Sequence, residues 1–259
     1  MYPILLRIGS WELRSYGVFV AIALLIGLWW STREGQRRGF SRGVINDFAA
    51  ATVIAGFIGA RLYYVLFSES QAYSAHPWEI FAVWHGGLAM HGGLLAGLMF
   101  AIWYVRRHRL SFLRLGDAVA PGLILGQTVG QIACLLNGDT YGKPTTLPWA
   151  VTFTDQHALA PLGVPLHPIQ IYELLAYAVV FGIVYRVARS HVADGTTLAT
   201  YAIAYGVARF GMEFFRGDPP MLGHLIVPQV VSAALAVAGL VGLWLIRTPS
   251  WQSHEHGRA

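Results

Sequence analysis

The chain has 259 residues, of which 55% are hydrophobic and 12% are charged, and its mean hydropathy is +0.51. Apolar runs near 20 residues recur along its length, a pattern that indicates an integral membrane protein and excludes a soluble globular domain. The 18 basic residues outnumber the 13 acidic ones, but the arginines lie between apolar runs, so they indicate membrane topology rather than nucleic-acid binding.

Seven apolar stretches are predicted to be transmembrane helices of an all-α, polytopic protein, each near the ~20 residues that a hydrocarbon core of ~30 Å requires. The N-terminal segment MYPILLRIGSWELR lacks the features of a signal peptide, so we expect no cleaved leader. Without a repeat, a low-complexity tract or a linker, residues 1–259 are predicted to form one membrane domain. In chain order the predicted spans are residues 14–31, 44–67, 87–105, 117–137, 167–187, 197–215 and 225–246.

The segments between these spans alternate in charge. Segments 32–43, 106–115 and 186–196 and the C-terminal tail carry most of the arginines, whereas segments 68–86, 138–166 and 216–224 contain only Lys143 and Arg216 as basic residues. By the positive-inside rule the N-terminus is expected outside and the C-terminus in the cytoplasm. Segment 138–166 is too polar and too rich in proline for a span, so it is predicted to be an ordered external loop or small cap.

Small residues four positions apart recur inside the predicted spans. They let neighbouring membrane helices approach closely, so a packing role is sufficient to explain them. The pairs are Gly56 with Ala60, Gly93 with Gly97, and the series Gly122, Gly126 and Gly130.

Ionisable residues inside the spans need a partner, a water-filled cavity or a function, because each costs at least ~2.5 kcal/mol near the bilayer centre. All but Asp117 fall toward the predicted external half of the membrane. They are Arg61, His91, Asp117, His167, Glu173, Arg209 and Glu213.

Structural explanations stay open for several of these residues. Arg209 and Glu213 are four residues apart and can neutralise each other as an intrahelical pair. His91 can be a satisfied core histidine, and His85 in the same stretch is interpreted as interfacial. Asp117 is expected to cap the N-terminus of the fourth helix.

Three further interpretations concern single side chains. Tyr16 fits an aromatic interface belt unless it lines a cavity. Cys134, the single cysteine, is interpreted as a small packing residue, and it excludes a disulfide framework or a zinc site built from several thiolates. Arg61 is the hardest to explain structurally, since no acidic residue lies one turn away on its own helix.

Two arginines and a histidine near one leaflet suit a lipid phosphate. Arginine keeps its charge and binds phosphate oxygens through parallel hydrogen bonds, which are strong at low dielectric constant. Histidine can move a proton near neutral pH. These residue types together indicate group transfer from a phospholipid.

The order of the polar blocks resembles the prolipoprotein diacylglyceryl transferase family over nearly the whole chain. The blocks are SYG at 15–17, GARLYYVLF at 59–67, HGGLAMHGGL at 85–94, NGDTYGKP at 137–144, HPIQIYE at 167–173 and ARFGMEFFRGD at 208–218. The resemblance implies a multi-pass enzyme of the bacterial cytoplasmic (inner) membrane. Such an enzyme transfers the diacylglyceryl group of phosphatidylglycerol to the lipobox cysteine of a preprolipoprotein and releases glycerol phosphate.

The same resemblance implies roles for individual residues. His91 and Arg209 are the catalytic candidates, His91 as the base or as another essential active-site residue, and Arg209 as the phosphate-holding cation oriented by Glu213. The remaining substrate-binding candidates are Tyr16, Arg61, Gln131, Asn137, Asp139 and Gly142. No metal or organic cofactor is implied, and the expected partners are phosphatidylglycerol, preprolipoprotein signal peptides and membrane lipid, not nucleic acid.

One position departs from the family pattern G-R-I-G-N-F-x-N-G-E-x-x-G. This chain has Gln131 in place of the arginine and Cys134 in place of the first asparagine, while Asp139 stands for the glutamate. An amide donates hydrogen bonds to phosphate without the charge-assisted contribution, so weaker leaving-group stabilisation is expected unless Arg61 or Lys143 substitutes. The alternative is therefore a catalytically weak or inactive protein that binds lipid or lipoprotein.

Two other classes are disfavoured. A transporter is possible because intramembrane charges often mark a permeation path, but the charges gather in one leaflet and no internal symmetry is visible. Rhomboid-like hydrolysis lacks a GxSxG or GxSG stretch.

Overall fold

The computed structural model describes residues 2–9, 11–68, 73, 76–82, 87–217, 221–222 and 225–248. Most of these residues belong to seven long helices, so the prediction of an all-α membrane protein is confirmed at that level. The helices are α1 (Ser15–Arg37), α2 (Arg42–Tyr63), α3 (Met90–Arg107), α4 (Phe112–Asn137), α5 (Ile169–Arg189), α6 (Thr196–Met212) and α7 (Val227–Arg247).

Short elements connect the helices. Within the described ranges, three antiparallel pairs of strands form small hairpins or ladders, and a π-helical turn, Tyr64–Ser68, extends α2. The same ranges contain 3₁₀ turns at Pro77–Phe81 and Glu213–Phe215. The strand pairs are β1 (Ile4–Ile8) with β2 (Trp11–Arg14), β3 (Val151–Thr152) with β4 (Pro165–Leu166), and β5 (Met221–Leu222) with β6 (Leu225–Ile226).

Among the described residues, five helices are both long and apolar enough to cross a membrane: α1, α2 with its π-helical turn, α4, α5 and α7. The other two predicted spans correspond to α3 with 18 residues and α6 with 17. At 1.5 Å per residue these two helices reach about 26 Å, close to the thickness of a hydrocarbon core. The count of seven spans and the orientation of the termini stay predictions.

Helix α4 begins earlier than predicted, and this changes the role of Asp117. The backbone N–H of Arg114 donates to the Ser111 hydroxyl at 3.3 Å, so the helix starts near Phe112 instead of residue 117. Asp117 is fully buried, and its carboxylate accepts the N–H groups of Gly195 at 2.8 Å and Leu198 at 2.7 Å. The prediction that Asp117 caps its own helix is wrong, because it lies inside α4 and caps α6 instead.

The chain divides into two compact units, residues 1–34 with 116–259 (the first unit) and residues 35–115 (the second unit). In the second unit α2 packs on α3 through small residues. A Cβ added to Gly56 would lie 3.3 Å from the Gly93 carbonyl oxygen, and one added to Gly93 would lie 3.4 Å from the Ala60 Cβ. The predicted packing role is confirmed for these residues.

In the first unit the glycine series of α4 packs only in part as predicted. A Cβ on Gly122 would lie 2.3 Å from the Gly27 carbonyl oxygen of α1, and one on Gly126 would lie 3.0 Å from that of Ala23. A Cβ on Gly130 would meet nothing within 4 Å. The packing prediction is confirmed for Gly122 and Gly126 and wrong for Gly130, where an added Cβ would contact no neighbouring helix.

Aromatic and β-branched side chains hold α4, α5 and α6 together in the same unit. Ile124 of α4, Val184 of α5 and Tyr201 of α6 belong to one buried cluster. The Tyr201 hydroxyl donates to the Gln127 amide oxygen at 3.2 Å, so this oxygen has a partner inside the core.

Candidate functional site

The last turn of α4 ends in a tight reversal at Gly138. Gly138 has φ 73°, and its N–H donates to the Cys134 carbonyl at 2.9 Å. A Cβ at this position would lie 2.7 Å from the Ala158 Cβ, so both the backbone and the packing require glycine. This reversal directs the following residues back across the end of the helix.

Asp139 organises the segment after the reversal. Its carboxylate accepts the Asn137 amide at 3.0 Å and lies 3.5 Å from the Thr140 hydroxyl. Its carbonyl accepts the Gln170 side-chain amide from α5 at 2.7 Å. Tyr16 lies close enough to Asp139 for an electrostatic interaction. Two of the predicted residues, Asn137 and Tyr16, therefore lie near the carboxylate of a third, Asp139.

Gly142 lies where three segments cross. It forms an antiparallel bridge with Arg216, and the next N–H along the chain, that of Lys143, donates to the Phe215 carbonyl at 2.8 Å. The His167 N–H donates to the Lys143 carbonyl at 2.9 Å. A Cβ on Gly142 would lie 2.3 Å from the His167 carbonyl oxygen, so only glycine allows this crossing.

Arg209 forms a buried ion cluster at the end of α6. Its Nη1 donates to Glu173 Oε1 of α5 at 3.0 Å and also pairs with Glu213, four residues later. Arg216 Nε lies 3.9 Å from the Glu213 carboxylate. The side chains of Arg209, Glu173 and Glu213 are 14%, 4% and 0% exposed. Among the described residues the cluster combines two arginines with two glutamates.

Gln131 lies beside this cluster. Its side chain is within hydrogen-bonding reach of the Glu173 carboxylate, so the position where the resemblance implies an arginine is adjacent to a buried acid. The amide adds a donor there but no charge. The formal charge of the four ionised side chains therefore stays balanced, without the excess cation that an arginine would supply.

Arg61, in the second unit, is engaged with backbone carbonyls. Its Nε donates to Ile80 at 2.9 Å and its Nη1 donates to Gly87 at 2.9 Å. Its Nη2 donates to Glu79 at 2.5 Å and lies 3.4 Å from the Ala82 carbonyl. The buried guanidinium thus ties α2 to the segment that leads into α3. Headgroup binding by Arg61 would require some of these hydrogen bonds to be given up.

His91 lies in the first turn of α3 with an exposed side chain. Its ring centroid is 6.5 Å from that of Tyr63 on α2. The neighbouring Gly92 allows the contact between the helices, since a Cβ there would lie 2.4 Å from the Gly59 carbonyl oxygen. His85 falls outside the described residues.

The structure thus assembles seven of the predicted residues within the first unit. Arg209 and Glu213 belong to the ion cluster, and Gln131 lies beside it. The others lie around Asp139 and the Gly142 crossing; these others are Tyr16, Asn137, Asp139 and Gly142. Arg61 and His91 belong to the second unit. The roles assigned to all nine stay predictions.

Sequence reasoning gave Gln170 no role and left Glu173 outside the predicted site. Gln170 is 1% exposed and Glu173 3%, and they are three residues apart on α5, which places both on one helix face. The block HPIQIYE contains both, so a polar i, i+3 pair in an otherwise apolar helix was the available signal.

Segment 138–166 folds around a small core of its own. Phe153, Ala160 and Leu166 are buried against each other. The Trp149 indole N–H donates to the Tyr172 hydroxyl of α5 at 2.7 Å, and Tyr172 in turn contacts His167 Nδ1 at 3.3 Å.

An Asx-type turn lies at the exposed side of the same segment. The His157 N–H donates to the Asp155 carboxylate at 2.9 Å and holds the pKa of that carboxyl below its usual range. The segment is therefore an ordered structure packed on the start of α5.

Comparison with known proteins gives a consistent set of relatives. The profile of the prolipoprotein diacylglyceryl transferase family matches residues 3–245. A phosphatidylglycerol-prolipoprotein diacylglyceryl transferase from Synechocystis is 35% identical over 98% of this chain and 94% of its own length. Enzymes of the same name from Gloeobacter violaceus and Nitratidesulfovibrio vulgaris are 35% and 34% identical, over 96% and 94% of this chain and 94% and 92% of their own lengths.

Proposed function

Because the chain belongs to the prolipoprotein diacylglyceryl transferase family, we propose that it transfers the diacylglyceryl group of phosphatidylglycerol to a preprolipoprotein. The acceptor is the thiol of the lipobox cysteine, and the site of action is the bacterial cytoplasmic membrane. The observation that carries the proposal is the buried cluster around Arg209, placed beside the segment 137–142 within a chain that matches the family almost throughout.

The proposed reaction is a displacement at the carbon of the diacylglyceryl group that is bonded to a phosphate oxygen. The cysteine sulfur forms a thioether bond to that carbon while the carbon–oxygen bond breaks, and glycerol phosphate leaves with the electron pair. The thiol proton passes to a base. A free thiol near pH 7 is only a few per cent thiolate, and the departing phosphate gains charge, so a base and a preorganised cation both lower the barrier.

Arg209 is the proposed cation. Two carboxylates from different elements hold its guanidinium, Glu173 from α5 and Glu213 after α6, and this fixes its direction before substrate arrives. Such preorganisation stabilises developing charge without reorganisation during the reaction. The same carboxylates offset its charge, so phosphate has to share the guanidinium with them.

In our proposal, Gln131 limits how strongly this site binds phosphate. Its amide is close to Glu173 and contributes a neutral donor where a second free cation would strengthen phosphate binding. Tyr16, Asn137, Asp139 and Gly142 form the proposed rim for the headgroup, with Asp139 oriented by the amides of Asn137 and Gln170.

His91 is the proposed proton acceptor, from its match to the family's HGG histidine. Its exposed imidazole at the start of α3 suits a group that exchanges protons with a substrate thiol and then with water. Replacement of His91 by alanine is expected to abolish transfer while the protein still folds, because the side chain is not part of a buried core.

The test is a transfer assay with purified protein, phosphatidylglycerol vesicles and a lipobox peptide, read by the mass of the peptide. Wild-type protein is expected to add one diacylglyceryl group per peptide. A peptide of unchanged mass, with a related enzyme active in parallel, would refute the proposal.

Matched variants at position 131 test the role of charge. Gln131→Arg is expected to raise kcat/KM roughly tenfold, since charge-assisted hydrogen bonds are about twice as strong as neutral ones. Gln131→Lys adds the charge without the planar fork and is expected to give a smaller gain. Gln131→Met keeps the size but removes the amide, and we expect it to lower the rate.

The alternative function is binding of lipid or lipoprotein without efficient transfer. The observation that favours it is the balanced charge of the ion cluster beside Gln131. Wild-type protein that retains labelled peptide and lipid but transfers nothing, together with transfer by Gln131→Arg, would establish the alternative.

A further inference from the structure

The C-terminal half of α3 carries an open groove of about 510 Å³. Its described lining consists of Met99, Ile102, Trp103, Arg106 and Arg107. Met99 and Trp103 are 62% and 56% exposed, so both apolar side chains are accessible to a lipid chain.

The groove lies on a face of α3 that does not pack on α2. Tyr104 marks the packed face: it is buried, its ring centroid is 5.4 Å from that of Phe48, and its hydroxyl lies 3.4 Å from the Val44 carbonyl oxygen. Trp103 precedes Tyr104 by one residue, a rotation of about 100° around the helix. Trp103 therefore lies on a different face of α3 from the one that Tyr104 packs on α2.

The charge near the groove is strongly positive. Four arginines occur between residues 106 and 114, and the sequence from Met90 to Gly116 contains no aspartate or glutamate. Arg114 stacks over the Phe40 ring, whereas Arg106 and Arg107 line the groove. Asp47 of α2 interacts with Tyr104, on the packed face.

We propose that this groove binds one anionic phospholipid. Along the helix the lining changes from apolar to basic over eight residues, about 12 Å, which matches the order of acyl chain and phosphate in a lipid. Arg106 and Arg107 receive the phosphate through charge-assisted hydrogen bonds, and Met99, Ile102 and Trp103 contact an acyl chain.

The groove lies at the other end of α3 from His91, the proposed proton acceptor. His91 lies 15 residues before Arg106 on the same helix, about 22 Å along its axis. The inference does not depend on the proposed transfer reaction.

The test counts lipids bound to the intact protein by native mass spectrometry in detergent. The probes are dioleoyl phosphatidic acid and dioleoyl phosphatidylcholine, which share acyl chains and differ in charge. The double variant Arg106→Gln/Arg107→Gln is compared with Arg186→Gln/Arg189→Gln, which removes the same charge from the last turn of α5.

We expect wild-type protein to bind one phosphatidic acid at least tenfold more tightly than Arg106→Gln/Arg107→Gln. The α5 variant is expected to keep wild-type affinity within threefold, and phosphatidylcholine to bind all three proteins alike. Equal losses in both double variants would indicate general surface electrostatics and would overturn the site, as would undiminished binding by Arg106→Gln/Arg107→Gln.

A second measurement does not require the double variant to fold. Phosphatidic acid with brominated acyl chains is expected to quench more tryptophan fluorescence than brominated phosphatidylcholine in wild-type protein. This difference is expected to disappear in Trp103→Phe, a conservative change at an exposed position. A difference that persists in Trp103→Phe would contradict the proposed position of the acyl chain.

Discussion

Arg209 is held by carboxylates on two different elements, and this arrangement decides what can replace it. Glu173 and Glu213 both contact its guanidinium, and an ammonium group cannot reproduce that planar, forked contact. Removal of the cation also takes from two buried carboxylates the arginine that they share, and breaking a buried ion pair typically destabilises a protein by about 3–5 kcal/mol.

We therefore expect Arg209→Lys to lower kcat/KM for transfer roughly 10- to 100-fold while most of the protein stays folded, since charge is kept but geometry is lost. Arg209→Ala is expected to abolish transfer and to lower the melting temperature as well. The measurement is the peptide transfer assay together with thermal unfolding in detergent. Arg189→Lys, at the exposed end of α5, is the control; normal turnover by Arg209→Ala would refute the assigned role.

The contacts of Arg61 indicate a structural role, whereas its position in the sequence suggested that it binds the lipid headgroup. Its donors bind the carbonyls of Glu79, Ile80 and Gly87, so its first function in the structure is to connect α2 to the segment before α3. Leaving donors of a buried side chain such as Arg61 without acceptors costs about 1–3 kcal/mol each.

Arg61→Lys is consequently expected to lower the thermal stability, because one ammonium cannot reach all of these carbonyls. The KM for phosphatidylglycerol is expected to stay within twofold for the fraction that remains folded. Kinetics over a range of lipid concentration, combined with melting curves, separate the two quantities. A tenfold higher KM with unchanged stability would instead support the earlier hypothesis that Arg61 binds the headgroup.

At the scale of elements, the most informative contact is a cap supplied by one helix to another. Asp117 lies inside α4 yet accepts two N–H groups at the start of α6. It therefore connects two helices that are distant in sequence, since Asp117 and Gly195 are 78 positions apart. A carboxylate at a helix N-terminus is also favourable toward the helix dipole.

Asp117→Ala is expected to reduce the free energy of unfolding by about 2 kcal/mol, since a cap is lost and buried N–H groups are left unpaired. Asp117→Asn keeps an oxygen acceptor and is expected to cost less. Thermal or denaturant unfolding in detergent provides the measurement. Ser111→Ala removes the exposed cap of α4 itself and should cost at most about 1 kcal/mol; a larger loss from Ser111→Ala than from Asp117→Ala would contradict the cross-helix role.

The Gly142 crossing supports another prediction at this scale. Gly142→Ala is expected to disturb the bridge to Arg216 and to reduce transfer, because the added Cβ would lie 2.3 Å from a backbone oxygen of His167 that cannot move alone. Gly182→Ala is the matched control, since a Cβ there would meet nothing within 4 Å. Equal activity of the two variants would show that the crossing tolerates a side chain.

At the scale of the whole molecule, the alternation of basic segments predicts which loops face the cytoplasm. The C-terminal end of α5 is basic and is followed by Ser190, whereas segment 138–166 lies before the N-terminal end of this helix. A helix of 21 residues reaches about 31 Å and spans a hydrocarbon core. The two loops are therefore expected on opposite sides of the membrane.

Single cysteines introduced into a Cys134→Ser background test this orientation. Thr146→Cys, in the exposed part of segment 138–166, is expected to react with a membrane-impermeant maleimide on spheroplasts. Ser190→Cys is expected to react only after the membrane is permeabilised. The reverse pattern would invert the predicted topology, and the Cys134→Ser protein alone reports background labelling.

Much of the architecture was readable from local sequence, because hydropathy and charge act over windows of about 20 residues. Every predicted span corresponds to a helix in the structure, and the residues around Asn137 and Arg209 were recognisable as polar blocks. The boundaries were less accurate: α4 starts at Phe112, since an apolar turn before Asp117 extends the helix. That error produced the wrong assignment of the Asp117 cap.

By itself the sequence determined a helical membrane protein, its family resemblance and the substitution at Gln131. Only the tertiary structure decided that Glu173 shares Arg209 with Glu213, that Gln131 lies against that buried acid, and that Arg61 binds carbonyls. The physical reason is separation along the chain. Glu173 and Arg209 are 36 residues apart, and no local propensity selects a partner at that distance; helix packing brings the two charges together, and their desolvation then makes the pairing necessary.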